Sequence, residues 1–161
     1  MGMKIRVQNI GEVRDKIPLF HGLTNDQVQA IVDVGNLIEL EPGRMLCHEG
    51  DESTAFFILI SGTLKVRAGE ISLGKVQAVD VVGEMGFITG MPRSATLEVE
   101  ASARLIVIAK AEFDTLLASD DHMAARIYRR LVDVLCRRLR ASNVQLVRSQ
   151  IKALSDLTLT I

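Results

Sequence analysis

The sequence predicts a mostly β domain with flanking helices, a sandwich or small barrel followed by one long C-terminal helix. Three observations point there. Between residues 36 and 109, short apolar segments recur, broken by Gly, Pro and Asp. Several alternate with period two, as in Leu97, Val99 and then Ala101. From about Asp120 to Ser155 the chain contains neither Gly nor Pro. Closely spaced strands with turn signals between them describe a sandwich or barrel rather than βαβ units.

The elements follow in order. PLFHGLTNDQVQAIVDVG, residues 18–35, reads as a turn and a short helix. Thr24 or Asn25 can cap it, and Val28, Ile31 and Val32 give it an apolar stripe at helical spacing. The strand-like segments are LIEL, RMLCHEG, AFFILISG, LKVRAG, ISLGKV, VDVVG, SATLEVE and RLIVIAK. Ala68-Gly69-Glu70 predicts a tight hairpin, and Pro42-Gly43 and Ser61-Gly62 predict further turns. AEFDTLLAS predicts a short helix. The Gly- and Pro-free run after it predicts a helix roughly 50 Å long, too long for one small barrel to cover. Ile127, Leu131 and Leu135 form a seam that continues through Leu139 towards Leu146. Val144, Val147, Ile151 and Leu154 form a second. Such seams pack first on the barrel and then on a partner helix. The organisation expected is residues 1–119 for the helical entry, the β unit (about 36–110) and the short helix, and 120–161 for the long helix and tail.

The 161 residues fit one domain or one domain with an appended element, and a hydrophobic content of 48% supports a packed core. The formal charge of −1 marks no general nucleic-acid binder. Cys47 and Cys136 match no metal or redox spacing and are expected to be free, mostly buried thiols in a reducing compartment. The histidines, at 21, 48 and 122, share no ligand spacing, so no metal site is expected and His48 reads as a strand or loop residue. No apolar run reaches the roughly 20 residues of a membrane span. The N-terminus lacks a signal-peptide core, and Arg6 breaks the myristoylation pattern behind Gly2. A cytoplasmic protein is expected.

The chemistry concentrates in GEMGFITGMPRSAT, residues 83–96. Gly83-Glu84-Met85-Gly86 follows the strand-like VDVV and starts a helical turn, whose first amides lack intrahelical partners and suit an anion. The planar fork of Arg93 suits a phosphate, and Ser94 adds a hydroxyl. Glu84 is wrong for a phosphate but accepts hydrogen bonds from a ribose hydroxyl. Residue chemistry alone leaves the alternative of a surface ion pair between Glu84 and Arg93, worth about 0–1 kcal/mol. Proton-transfer catalysis is disfavoured, because arginine stays protonated and no nucleophile–base pair stands near it.

The order G-E-hydrophobic-G, then R-S-A-T, resembles the phosphate-binding cassette of the cyclic nucleotide-binding domain family. That family includes catabolite activator proteins, protein-kinase regulatory subunits and cyclic-nucleotide-gated channels. HEGDESTAFFILISGTLKV is similar to the family's E-G-D segment, in which Gly50 and Gly62 would serve turns of a β-roll. PLFHGLTNDQV is similar to its helical entry. The resemblance spans about residues 17–150. It implies a jelly-roll-like β-roll in which Arg93 binds the cyclic phosphate and Glu84 the ribose 2′-hydroxyl. Gly83, Met85, Gly86, Ser94 and Ala95 would complete the pocket. RRLRASN, residues 137–143, is similar to the hinge-side stretch of the catabolite activators' long helix, which implies base contacts from Ser142 and Asn143. Two departures are Val79-Asp80 in place of Gly-Asp and Val82 where an aromatic is frequent.

The long helix carries Arg126, Arg129, Arg130, Arg137, Arg138, Arg140, Arg148 and Lys152, with Asp133 as the only acid between residues 122 and 152. Its basic face fits nucleic acid, an anionic membrane, or a solvated surface that supplies cations near the phosphate; the last is expected. Cys136 is expected on a buried seam or flank. About six residues follow Ser155, no room for a helix-turn-helix module, so no direct DNA binding is expected if the chain is complete. The expectation is a non-catalytic cyclic-nucleotide sensor. It would prefer cyclic AMP to cyclic GMP, need no cofactor and dimerise through the long helix. The alternative is a scaffold of the same fold that binds no nucleotide.

Overall fold

The computed structural model describes residues 10–158. The readings at Gly2 and Arg6, and the last residues of the tail, lie outside them. The chain enters through α1 (Ile10–Lys16), a short helix of the helical entry, and a 3₁₀ turn (Pro18–Phe20). Next comes α2 (Asn25–Val34). Thr24 is its cap: the hydroxyl accepts from Gln27 N while the Gln27 side chain accepts from Thr24 N. This reciprocal capping fixes where the helix starts. Val28, Ile31 and Val32 are buried.

Six antiparallel strands form one open sheet: β1 (Gly35–Leu40), β2 (Met45–Cys47), β3 (Ala55–Ala68), β4 (Ile71–Gln77), β5 (Asp80–Val82) and β6 (Thr96–Ala109). The order is β1-β6-β3-β4, with β2 also on β6 and β5 also on β3. Two corrections follow. AFFILISG and LKVRAG are one strand, as are SATLEVE and RLIVIAK. Ser61-Gly62 is therefore no turn but an irregularity inside β3, where the register with β6 shifts between Leu59 and Leu64. Gly62 has φ of 94°, and a Cβ there would meet the backbone of residues 101–103. Only glycine permits that conformation and approach, and the sheet bends at such a site. The hairpin between β3 and β4 does turn at Gly69 and Glu70.

The bend explains the uninterrupted apolar run AFFILI. Its residues alternate between two cores. Phe56 and Ile58 join α2, the 3₁₀ turn and the C-terminal helices, whereas Phe57 and Leu59 fill the interior of the roll with Leu64, Val99 and Leu105. A strand buried on both faces needs no polar alternation.

The short helix α3 (Glu84–Thr89) lies between β5 and β6. After the sheet come α4 (Lys110–Ala118) and α5 (Asp121–Thr158), a single helix of 38 residues, about 57 Å long. Met123, Ile127, Leu131 and Val134 bury the first half of α5 against the body, and the residues from 139 to 156 are exposed. Cys136 is exposed rather than buried. It stands two residues after Val134, about 160° away around the helix. Cys47 is buried, as expected. Among the described residues no helix is long and apolar enough to cross a membrane.

Candidate functional site

The cassette is held from three directions. Its floor is the Gly50 turn. Arg93 N donates to Asp51 O (2.8 Å) and Gly50 N donates to Arg93 O (2.9 Å). Glu49 N donates to the Thr96 hydroxyl (2.9 Å) and the Cys47 thiol to Ala95 O (3.8 Å). The E-G-D segment therefore serves to fix the backbone of Arg93. From the helical side, Phe87 of α3 packs edge-on against Phe56 (4.7 Å between ring centres) and Phe113 of α4 (5.5 Å). At the start of α3, Gly83 adopts the left-handed conformation, φ 78°. A Cβ at Gly83 would collide with the Arg93 guanidinium, and one at Gly86 with the Ser53 side chain. Both glycines are there for close approach.

Arg93 is 6% exposed. Its Nη1 donates to Gly83 O (2.9 Å), its Nη2 donates to Ala55 O (2.6 Å), and its guanidinium lies 5.1 Å from the Phe57 ring centre. Its Nε has no hydrogen-bond partner, and among the described residues no carboxylate pairs with it. The charge is met by carbonyl dipoles and a ring face alone. The buried Ser53 hydroxyl is also without a partner. Ser94 is exposed and its hydroxyl donates to Met85 Sδ (3.7 Å); Met85 is exposed and Ala95 half-buried.

Glu84 is 2% exposed and is not paired with Arg93. Its partner is Arg138 of α5, whose Nη1 donates to Glu84 Oε1 at 2.5 Å. Arg138 Nη2 also donates to Asp80 Oδ2 (3.0 Å) and to Val81 O. Burial works against the charged guanidinium, but Glu84 and then Asp80 outweigh it, so the pKa of Arg138 is raised. Sequence reasoning gave Arg138 no role beyond a basic face. The available signal was RRLRASN, in which Arg138 stands one turn before Ser142. Ser53, Phe57 and Asp80 were also missed. Each acts through proximity that no local pattern encodes.

The structure thus brings Gly83, Glu84, Met85, Gly86, Arg93, Ser94 and Ala95 together around one cassette. Ser142 and Asn143 lie on the exposed part of α5, four and five residues past Arg138, and make no hydrogen bond to the cassette among the described residues. A cleft of about 320 Å³ opens beside Arg138, between Pro18, Val79, Asp80 and the α5 residues Val134, Arg137 and Ala141. His48 sits in the loop before the Gly50 turn, and its backbone N–H donates to Asp51 Oδ2 (2.7 Å).

A buried arginine just before β6, a buried glutamate opening α3 and a long helix bonded to that glutamate characterise this β-roll. Comparison with known proteins gives its family. The profile of the cyclic nucleotide-binding domain matches residues 37–120, and the chain belongs to that family. It is 24% identical over 115 residues to the cAMP-dependent protein kinase type II regulatory subunit of Drosophila melanogaster, covering 71% of this chain and 30% of that protein. It is 32% identical over 120 residues to the Pycsar effector protein XpPycTIR of Xanthomonas perforans, covering 71% of this chain and 37% of that protein. The chain thus spans about a third of these relatives. Among solved structures it is similar to a cyclic nucleotide-binding domain from Methylobacillus flagellatus, with a TM-score of 0.77 and 26% identity over 87% of this chain and 82% of that one.

Proposed function

We propose that the chain is a non-catalytic sensor of cyclic nucleotides, acting in the cytoplasm and preferring cyclic AMP to cyclic GMP. The observation that carries this reading is Arg93: a buried guanidinium with an unpartnered Nε and no carboxylate beside it. A cyclic phosphate supplies the missing anion through charge-assisted hydrogen bonds. Glu84 accepts from the ribose 2′-hydroxyl through the carboxylate oxygen that Arg138 leaves open. The base lies towards α5, where Ser142 and Asn143 offer donors and acceptors. The cAMP-dependent protein kinase regulatory subunits among the relatives support the adenine nucleotide.

Signalling runs through two contacts of the cassette. Phe87 links α3 to α4 through Phe56 and Phe113, and Glu84 links α3 to α5 through Arg138. Ligand that favours one arrangement of these helices tenfold biases them by about 1.4 kcal/mol. The exposed apolar residues Leu139, Val144, Leu146, Val147 and Ile151 support dimerisation through α5. The output passes to a partner protein or fused domain.

Titration calorimetry with cyclic AMP and cyclic GMP tests the reading. Saturable heat with cyclic AMP, weakened at least 100-fold in Arg93→Ala, is the expected result. No heat and no rise in melting temperature at millimolar nucleotide would leave a scaffold of this fold as the better account.

A further inference from the structure

Next to the first cleft, and sharing Pro18 and Arg137 with it, α5 lines a second, larger cleft of about 450 Å³. One wall is Pro18 and His21, and the other is α5, with Arg130, Asp133, Arg137 and Arg140. The first wall is anchored. Leu19 and Phe20 are fully buried, Arg130 Nε donates to His21 O (3.0 Å), and Arg126 Nη1 donates to Gly22 O. The cleft is therefore preformed, and its volume falls in the usual range for small-molecule sites.

Its charge is one-sided. Residues 122–152 carry eight cations and one acid, a net +7, in a chain of −1, so the remainder carries −8. The one acid, Asp133, lies 3.4 Å from Arg130 Nη1. Arg137 and Arg140 have no carboxylate partner among the described residues; the only hydrogen bond of Arg137 there is a long one, Nε to Asp133 O at 3.4 Å. They sit three residues apart on one helix, where like charges repel by a few tenths of a kcal/mol. Among the described residues no ion pair to Arg137 or Arg140 offsets that cost.

We propose that this cleft binds a small, multiply charged phosphate anion, a di- or triphosphate group. Arg137 and Arg140 are offset by about 4.5 Å along the helix axis, and Arg130 stands about 10 Å before Arg137. These are backbone offsets; the long side chains of Arg137 and Arg140 line one cleft, where each can give paired charge-assisted bonds to neighbouring phosphates. No residue of the cassette lines this cleft, although Pro18 and Arg137 also line the one beside Arg138. Arg140 and Arg138 are two residues apart, so they point about 160° apart around α5. The inference is independent of which nucleotide, if any, the cassette binds.

The test is calorimetry of the full chain with pyrophosphate and tripolyphosphate, ionic strength being held constant with chloride. Wild type is expected to bind saturably, and Arg137→Gln/Arg140→Gln to bind at least tenfold more weakly. Arg129→Gln/Arg148→Gln removes the same charge from α5 outside the cleft and is expected to stay within twofold of wild type. Arg140→Gln alone breaks no hydrogen bond among the described residues and is expected to weaken binding at least threefold. Absence of saturable binding, retention in the Arg137/Arg140 variant, or equal losses in both double variants would overturn the site.

Discussion

Arg138 Nη1 sits 2.5 Å from Glu84 Oε1, and this contact joins the long C-terminal helix to the cassette across 54 residues of sequence. Removing the arginine leaves a carboxylate buried without its cation. Arg138→Met is expected to cost about 1–3 kcal/mol in urea denaturation, less than a fully buried pair because Arg138 is partly exposed. In Glu84→Gln/Arg138→Met the two losses are expected not to add. Strict additivity would mean the contact contributes nothing to stability.

Gly83 and Gly90 both adopt positive φ, at 78° and 70°, but their surroundings differ. A Cβ at Gly83 meets the Arg93 guanidinium, and one at Gly90 meets open space. Alanine at either position is expected to cost about 1–2 kcal/mol for the left-handed backbone. Gly83→Ala is expected to weaken nucleotide binding as well, while Gly90→Ala leaves the affinity near wild type. Calorimetry alongside thermal melts reads both effects.

The two thiols are expected to react at very different rates. Burial pushes the pKa of Cys47 up, against the smaller opposing effect of Arg93, so its reactive thiolate is disfavoured. Cys136 is exposed. Iodoacetamide labelling followed by peptide mass spectrometry is expected to find Cys136 modified in the native protein and Cys47 only after unfolding.

Asp120 caps α5, accepting from Met123 N (2.9 Å) and from the Gln27 side chain (2.7 Å). The Met123 amide and then Gln27 hold its pKa below the ordinary 3.8. A depressed carboxylate stabilises the fold fully above its unfolded pKa, and that stability is lost as pH falls through the folded value. Wild type is therefore expected to lose this contribution below about pH 4. Asp120→Asn is expected to show a shallower acid limb in pH-dependent thermal melts.

If α5 dimerises, charges placed on its exposed apolar residues break the assembly. Leu146→Asp/Ile151→Asp is expected to sediment as a monomer at concentrations where wild type is a dimer. The melting temperature of the body is expected to change little, because both positions lie beyond the buried half of the helix.

Much of the fold was legible because it rests on local rules. Thr24 or Asn25 announces a helix start, which the structure places at Thr24, Gly69 announces a hairpin, and a Gly- and Pro-free run a long helix. The β-bulge at Gly62 was not, because a glycine among β-branched and apolar residues reads equally as turn or bend. The choice lies in the closeness of residues 101–103, some forty positions on. Cys136 was misplaced for a related reason: the seam through Ile127 and Leu131 bends towards Val134 rather than Leu135, and which flank faces the body depends on the body.

The sequence by itself determined the family, the order of the elements and the presence of one acid and one arginine in a glycine-bearing loop. Spacing along the chain and residue chemistry are enough for these. Only the tertiary structure decided what each of the two charges meets. Arg93 meets the carbonyls of Gly83 and Ala55 through its two terminal nitrogens while its Nε stays without a partner, and Glu84 meets Arg138. These partners lie up to 54 positions away, and electrostatic energy depends on distance in space and on burial, neither of which a linear pattern carries.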